Sequence, residues 1–168
     1  MHSKILYIVN VDWFFISHRL PIAIEAKNNG YDVHVACAVT DYSDYLTGLG
    51  FTVHDLPLSR SGVGFFSEVK SIFSIYGLIR KLSPEVLHMI TIKPVLYGGL
   101  ISRFFSIKTR IASISGLGYV FISEAIKARF LRYIVVALYR IGLSKINTFI
   151  IFQNSSDQAL FLKEKIIS

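Results

Sequence analysis

Short apolar runs alternate along the chain with stretches of helical periodicity. Lys4–Asn10 (KILYIVN) is apolar and closed by polar residues, the pattern of a strand buried on both faces. Tyr31–Ala38, Phe51–Leu56, Val86–Ile90, Arg110–Ile114 and Thr148–Phe152 repeat that pattern. Helices are predicted between them. The first follows a connection over Val11–Ser17 (VDWFFIS), with Pro21 in its first turn and Gly30 after its last. A short second helix over Tyr42–Leu49 has Asp41 as its cap and Gly50 as its stop. The third runs to Leu82 and carries Val69, Ile72, Phe73, Tyr76 and Ile79 on one face. The fourth has Pro94 in its first turn and ends near Phe105. A long fifth, capped by Ser123, ends near Leu143. The last opens with Ser155 and Gln158 in capping-box spacing.

Strands that alternate with helices over short connections imply an α/β fold, a doubly wound (Rossmann-like) parallel sheet of six strands with helices on both faces. Right-handed crossovers favour the order 3-2-1-4-5-6. Strands one and four are then neighbours, and the winding reverses between them. Ligands bind at the carboxyl ends of strands around such a switch point. Two connections are expected to frame it, Val11–Ser17 and Thr91–Lys93.

The second of these breaks a local rule. Pro94 suits a first helical turn because its missing N–H costs nothing there. Lys93 is then at or beside the N-cap, where a short polar residue is the usual choice and a cation opposes the helix dipole. A bound anion held by Lys93 and the helix N-terminus would relieve the conflict; so would a lysine turned into water.

Composition narrows the class. At 168 residues the chain is one domain, and 52% hydrophobic against 17% charged residues excludes a disordered chain. No apolar run approaches the ~20 residues of a membrane span. MHSK leads straight into a strand, so no signal peptide is expected, and a lone Cys37 argues against disulfides. A net charge of +7 points to an anionic partner: nucleic acid, a phosphorylated substrate or an acidic membrane surface.

Motifs exclude more than they assign. The first strand–helix connection has no glycine, so a dinucleotide fingerprint is absent, and no GxxxxGK[ST] stretch exists. The five histidines are dispersed and Cys37 has no second cysteine, so no metal site and no cofactor is assigned. His34 and His54 alternate with apolar neighbours and read as structural. His18 and Arg19, at the expected start of helix one, and Arg60, in the loop after strand three, are candidate anion contacts. Arg129, Arg132 and Arg140 share one side of the fifth helix, either as a solvated outer face or as a surface for anionic lipid. Tyrosines and phenylalanines are plentiful, but no motif organises them for nucleic acid, which is not expected as a partner.

Five segments in order, NVDWFFISHRLPIAIEAKNNGYDVHVA, LPLSRSG, HMITIKPVLYGG, SISGLGYVF and FQNSSDQALF, resemble the N-terminal domain of family 4 glycosyltransferases. The likeness is greatest to the branch that builds bacterial capsule, O-antigen and lipid-linked surface polysaccharides. It implies a GT-B enzyme with two facing Rossmann-like domains. Residues 1–168 would be the acceptor-side N-terminal domain, inactive alone, with the C-terminal donor-binding domain absent. The implied reaction is metal-independent transfer of a hexosyl or N-acetylhexosaminyl group from a nucleotide-sugar, with retention, to a glycan or lipid-linked acceptor. It would take place in the cytoplasm, with an anionic membrane surface as a further partner. Many members have a glycine pair after strand one, where this chain has Asp12-Trp13-Phe14-Phe15; His18 and Arg19 would supply that phosphate contact. Ser115 stands where several relatives have a histidine, and Gly116 and Gly118 would let backbone approach the ligand. Lys93 and His18 would help stabilise the departing diphosphate. The competing reading is a non-catalytic, membrane-associating subunit that recruits a separate donor-binding chain.

Overall fold

A computed structural model describes residues 3–58, 64–116, 121 and 125–167. Strands β1 (Lys4–Val11), β2 (Asp32–Ala38), β3 (Thr52–Asp55), β4 (Val86–Ile90), β5 (Thr109–Ile114) and β6 (Thr148–Phe152) form one sheet in the order β3-β2-β1-β4-β5-β6. Every pairing is parallel. Helices α1 (Asp12–Asn28), α2 (Ser43–Gly48), α3 (Phe65–Leu82), α4 (Ile92–Ser102), α5 (Ile126–Leu143) and α6 (Ser155–Lys163) complete the described fold.

Alternation along the strands divides the core in two. Leu6, Ile8, Leu87, Met89, Ala112 and Ile114 face one layer, with Ile75 and Ile79 of α3, Val95 of α4, Val135 of α5 and Phe161 of α6. Ile5, Tyr7, Val9 and Ile90 face the other, with Phe15 and Ala23 of α1 and Leu46 of α2. Each such side chain contributes roughly 1.5–3 kcal/mol on burial. Helices α4 and α5 approach through glycines: a Cβ on Gly99 would lie 3.3 Å from the Gly142 backbone.

The fold class and strand order are those the hydrophobic pattern implies, but several boundaries differ. Helix α1 starts directly at Asp12, so VDWFFIS is not a connection and Pro21 is the tenth helical residue. Phe15, Arg19 and Ala23 recur at helical spacing on the buried side. Phe15 meets the Tyr7 and Phe51 rings edge-on, and this packing outweighs the proline. Pro21 is exposed, where water can satisfy the Ser17 carbonyl that a proline N–H cannot.

Asp41 does not cap α2, whose N-cap is Tyr42 without a side-chain bond. In α3 the buried side is Ser71, Ile75, Ile79 and Leu82, while Phe73 is 69% exposed. The α6 cap is shifted by one residue: Asn154 Oδ1 accepts from the Asp157 N–H, and Asn154 Nδ2 donates to Asp157 Oδ2. Ser123 lies outside the described residues. His34 and His54 meet each other, Nδ1 to Nε2 at 3.0 Å, with His34 Nε2 also 3.1 Å from Asp32.

Candidate functional site

Strands β1 and β4 are neighbours and send their helices to opposite faces, so the N-termini of α1 and α4 meet at their carboxyl ends. Between them lies a hollow of about 180 Å3 lined by Asn10, Val11, Phe14, Thr91, Ile92 and Ser115. That is room for several water-sized groups. Three buried side-chain oxygens in it, Asn10 Oδ1, Thr91 Oγ1 and Ser115 Oγ, have no hydrogen-bond partner among the described residues. Buried polar atoms are rarely left so, because each unmade bond costs about 1–3 kcal/mol. The hollow thus offers three oxygens to a polar ligand.

Backbone strain marks the same place. Thr91, the N-cap of α4, has φ 75° and ψ 169°, a region almost confined to glycine. Its N–H donates to the Ser113 carbonyl, and its own carbonyl accepts from Val95 N–H. Ladder and helix together therefore hold it, and its side chain caps nothing. Strain of this kind, of order 1–3 kcal/mol, collects at ligand sites.

Lys93 is the second residue of α4, and its conflict with the helix dipole is relieved from within the protein. Its Nζ lies 2.6 Å from Glu68 Oε1 on α3, and the Tyr97 hydroxyl donates to Glu68 Oε2 at 2.6 Å. Both charged side chains are about four-fifths buried. Burial, and then the Glu68 carboxylate, push the Tyr97 phenol well above its ordinary value. An anion does stand at Lys93, and it is a carboxylate from a neighbouring helix. Lys93 itself does not line the hollow, although the preceding residue, Ile92, does.

The other candidates divide. Ser115 lines the hollow directly. Gly116 follows it at φ 89°, a conformation that needs glycine, and its N–H donates to Asp157 Oδ2. His18 is exposed in the second turn of α1, not at its start. Its ring stacks on Phe14 with centroids 4.1 Å apart, and Nδ1 is 2.5 Å from Ser17 Oγ. Through Phe14 it backs one wall of the hollow. Arg19 does not line it: the side chain turns inward under α1 and is 8% exposed. Arg60 and Gly118 lie outside the described residues.

Two residues that sequence reasoning passed over matter here. Asn10 is a polar residue closing an apolar strand, which is the signal that could have found it. Asp12 is fully buried and accepts from Trp13 N–H, Thr40 N–H, Thr40 Oγ1 and Tyr42 N–H. Burial pushes its carboxyl up, but the bonds from Thr40, Trp13 and Tyr42 outweigh that and hold it below the ordinary range. It thereby locks the start of α1 to the segment after β2.

His88, mid-strand in β4, is buried and bonded through Nε2 to Ser113 Oγ at 2.8 Å. Burial, helped by the Arg19 cation, pushes its pKa down to about 3. The unfolded chain, with a histidine near ~6.5, binds a proton that the folded one refuses. The stability this reflects is complete above pH ~6.5 and is lost as pH falls toward the folded value, by up to ~1.4 kcal/mol per pH unit. His54, also shifted down by burial and by His34, adds to the same limb. Urea midpoints at pH 7 and pH 5 should therefore differ, and His88→Gln should narrow the gap. An unchanged gap in that variant would contradict the assignment.

With the geometry in place, comparison with known proteins is decisive about kinship. A family model described as "Glycosyl transferase 4-like" matches residues 4–154. The chain belongs to this family. A curated relative, the N,N'-diacetylbacillosaminyl-diphospho-undecaprenol alpha-1,3-N-acetylgalactosaminyltransferase of Campylobacter jejuni, is 26% identical over 85% of this chain and 40% of its own length. The UDP-GlcNAc 2-epimerase of Methanocaldococcus jannaschii superposes with a TM-score of 0.64 at 15% identity, covering 98% of this chain and 43% of its own. Sucrose-phosphate synthase of Thermosynechococcus elongatus gives 0.64 at 12%, covering 96% and 45%. At such identities the two structures speak to fold alone. The chain thus spans less than half the length of each. Within this glycosyltransferase family it supplies a Rossmann-like domain, and no described helix is long and apolar enough to cross a membrane.

Proposed function

We propose that the chain is the acceptor-side, N-terminal domain of a retaining GT-B glycosyltransferase. It acts with a donor-binding C-terminal domain that residues 1–168 do not include. The reaction moves a hexosyl or N-acetylhexosaminyl group from a nucleotide-sugar to a lipid-linked acceptor in bacterial capsule or O-antigen assembly, on the cytoplasmic side of the membrane. The observation that carries this reading is the hollow at the β1/β4 switch point. Its unpaired Asn10, Thr91 and Ser115 oxygens suit the hydroxyls of a sugar. In the reaction an acceptor hydroxyl bonds to the anomeric carbon as the bond to the nucleoside diphosphate breaks. What such a step asks of the protein is stabilisation of charge on the departing oxygens. Lys93 and the α4 N-terminus, with His18 behind Phe14, are the groups here that suit that task.

Ser115→Ala separates function from structure. Removing a hydroxyl that has no partner among the described residues should leave the melting temperature unchanged or raise it, because no bond within them is lost. In the complete polypeptide, supplied with nucleotide-sugar and an undecaprenyl-diphosphate-linked saccharide, kcat/KM should fall about tenfold. Unaltered transfer would remove Ser115 from the site. Product with inverted anomeric configuration would refute the retaining mechanism.

The outer side of α5 favours membrane contact, which serves this enzyme and equally the alternative of a non-catalytic subunit that recruits a donor-binding chain. Ile126, Phe130, Tyr133 and Ile141 form an exposed stripe, with Phe130 69% and Tyr133 73% exposed. Arg129 is exposed beside them. Arg132 and Arg140 are engaged within the protein, with the Phe121 carbonyl and with the Glu164 and Lys165 carbonyls. An apolar stripe edged by arginine suits an anionic headgroup layer. Phe130→Glu should lower co-sedimentation with anionic vesicles about tenfold. Equal binding by both proteins, or equal binding to neutral vesicles, would exclude α5 as the contact.

A further inference from the structure

A cluster of aromatic rings stands at the mouth of the switch-point hollow. Phe14, in its wall, is flanked on α1 by two further rings. His18 stacks on it, and Trp13 meets it edge-on, with centroids 6.0 Å apart and planes at 64°. The three come from the first two turns of a helix whose buried side is Asp12, Phe15, Arg19 and Ala23, so they occupy positions the core does not claim. Trp13 is the only tryptophan of the 168 residues, and 38% of it is exposed.

Asp12 fixes this rim. Its carboxylate accepts the Trp13 N–H at 2.8 Å and the Tyr42 N–H at 3.3 Å, so both residues are held at one buried anchor after β1 and β2. Tyr42, the N-cap of α2, is 42% exposed. Large aromatic surface left in water forgoes the favourable burial that draws such residues into cores and contacts. The backbone presenting it is pinned by the four hydrogen bonds that Asp12 accepts. A rigid platform of this kind loses little freedom when something settles on it.

Two unlike surfaces therefore adjoin. The hollow offers the oxygens of Asn10, Thr91 and Ser115, and its mouth offers aromatic rings. A ligand that uses both needs polar groups around its edge and an apolar face the size of one ring. A pyranose is built that way. Its hydroxyls project outward, and the slightly positive C–H bonds on one face suit the negative face of an aromatic ring. A membrane surface asks instead for a long apolar stripe edged by cations, which is the character of α5. We propose that Trp13 is the stacking platform for a sugar ring of the acceptor, whose hydroxyls reach the oxygens of the hollow, and that Tyr42 widens that platform. This rests on the glycosyltransferase reading above. It adds the side from which the acceptor enters, across Trp13 and Phe14 at the start of α1. Trp13 thus sets affinity for the acceptor and takes no part in the departure of the nucleoside diphosphate.

As the sole tryptophan of residues 1–168, Trp13 reports its own contacts. That chain is titrated with glucose, galactose, N-acetylglucosamine and N-acetylgalactosamine at millimolar concentration. At least one of them should change the tryptophan fluorescence saturably. A response to none would overturn the platform. So would a response confined to UDP or to anionic vesicles, which would mark a base or a membrane as the occupant. In the complete polypeptide, Trp13→Ala should raise KM for the lipid-linked saccharide about tenfold, with kcat and the nucleotide-sugar KM changed less than about twofold. Trp13→Phe should recover most of that affinity, because a smaller ring still stacks. A raised nucleotide-sugar KM, or no recovery in Trp13→Phe, would overturn the assignment; a merely structural role would lower kcat and the melting temperature without the split in KM. Sugar transfer by the unsubstituted polypeptide is measured alongside. Saturable sugar binding without transfer would uphold the platform and refute the enzymatic reading; transfer without a fluorescence response would do the reverse.

Discussion

Asp12→Ala is expected to lower the unfolding free energy by about 4 kcal/mol, among the largest effects of any single substitution in this chain. The side chain is fully buried and receives four hydrogen bonds, two of them at 2.6 Å from Thr40. Its removal leaves the Thr40 and Tyr42 amides and the Thr40 hydroxyl without an acceptor in a dry setting, and each orphaned donor costs about 1–3 kcal/mol. The negative charge also sits on the first residue of α1, where the helix dipole favours it. Asp12→Asn should lose roughly half as much, because the amide keeps one acceptor but turns an N–H2 toward the donors. Chemical denaturation of both variants at pH 7 measures the difference. Near-native midpoints would mean that the segment after β2 holds itself without the carboxylate. Because the folded carboxyl titrates below its unfolded value, its contribution is present above pH ~4 and is lost as pH falls further, a window that begins at the lower end of the one assigned to His88.

Lys93→Ala should lower kcat/KM for sugar transfer by the complete enzyme about 10²-fold, and His18→Ala should lower it in the same direction. The basis is position. Lys93 follows Ile92 of the switch-point hollow, at the positive end of α4, and Tyr97 holds its carboxylate partner, Glu68, in place. A cation so fixed needs no reorganisation when charge develops on a leaving phosphate. The same substitution breaks a largely buried ion pair, so some loss of stability is expected as well. Measuring transfer well below the melting temperature of the variant keeps the two effects apart. Glu68→Gln is the companion: it retains the Tyr97 contact, leaves Lys93 charged, and should cost less activity than Lys93→Ala. Full kcat/KM in both Lys93→Ala and His18→Ala would remove these residues from the chemistry.

Much of this arrangement was legible in advance, and the failures share a cause. Strand positions came through because strands buried on both faces read as unbroken apolar runs. The order of the sheet then followed from handedness. The start of α1 did not come through. Pro21 looked like a first-turn residue, whereas Phe15 and Ala23 bury themselves from positions ahead of and behind it. Nothing local announces that Phe15 will find Tyr7 and Phe51. The α6 cap was misplaced by a single residue because Asn154 and Ser155 are both good caps, and only the Asp157 contact chooses between them.

Lys93 shows the same division at the site. A misplaced cation at a strand–helix turn drew attention to the turn beside the switch-point hollow, and its counter-ion is a carboxylate 25 residues earlier in the chain. Arg19 was read as facing a ligand from a helix start, and α1 carries it to the buried side instead. What the sequence by itself determined was the layering: hydrophobic period and crossover handedness are local or near-local properties, so six parallel strands and their switch point follow from them. Only the tertiary structure decided which charges meet, which oxygens stay unpaired and where those oxygens collect. Those depend on side chains brought together across the fold, and no spacing along the chain encodes them.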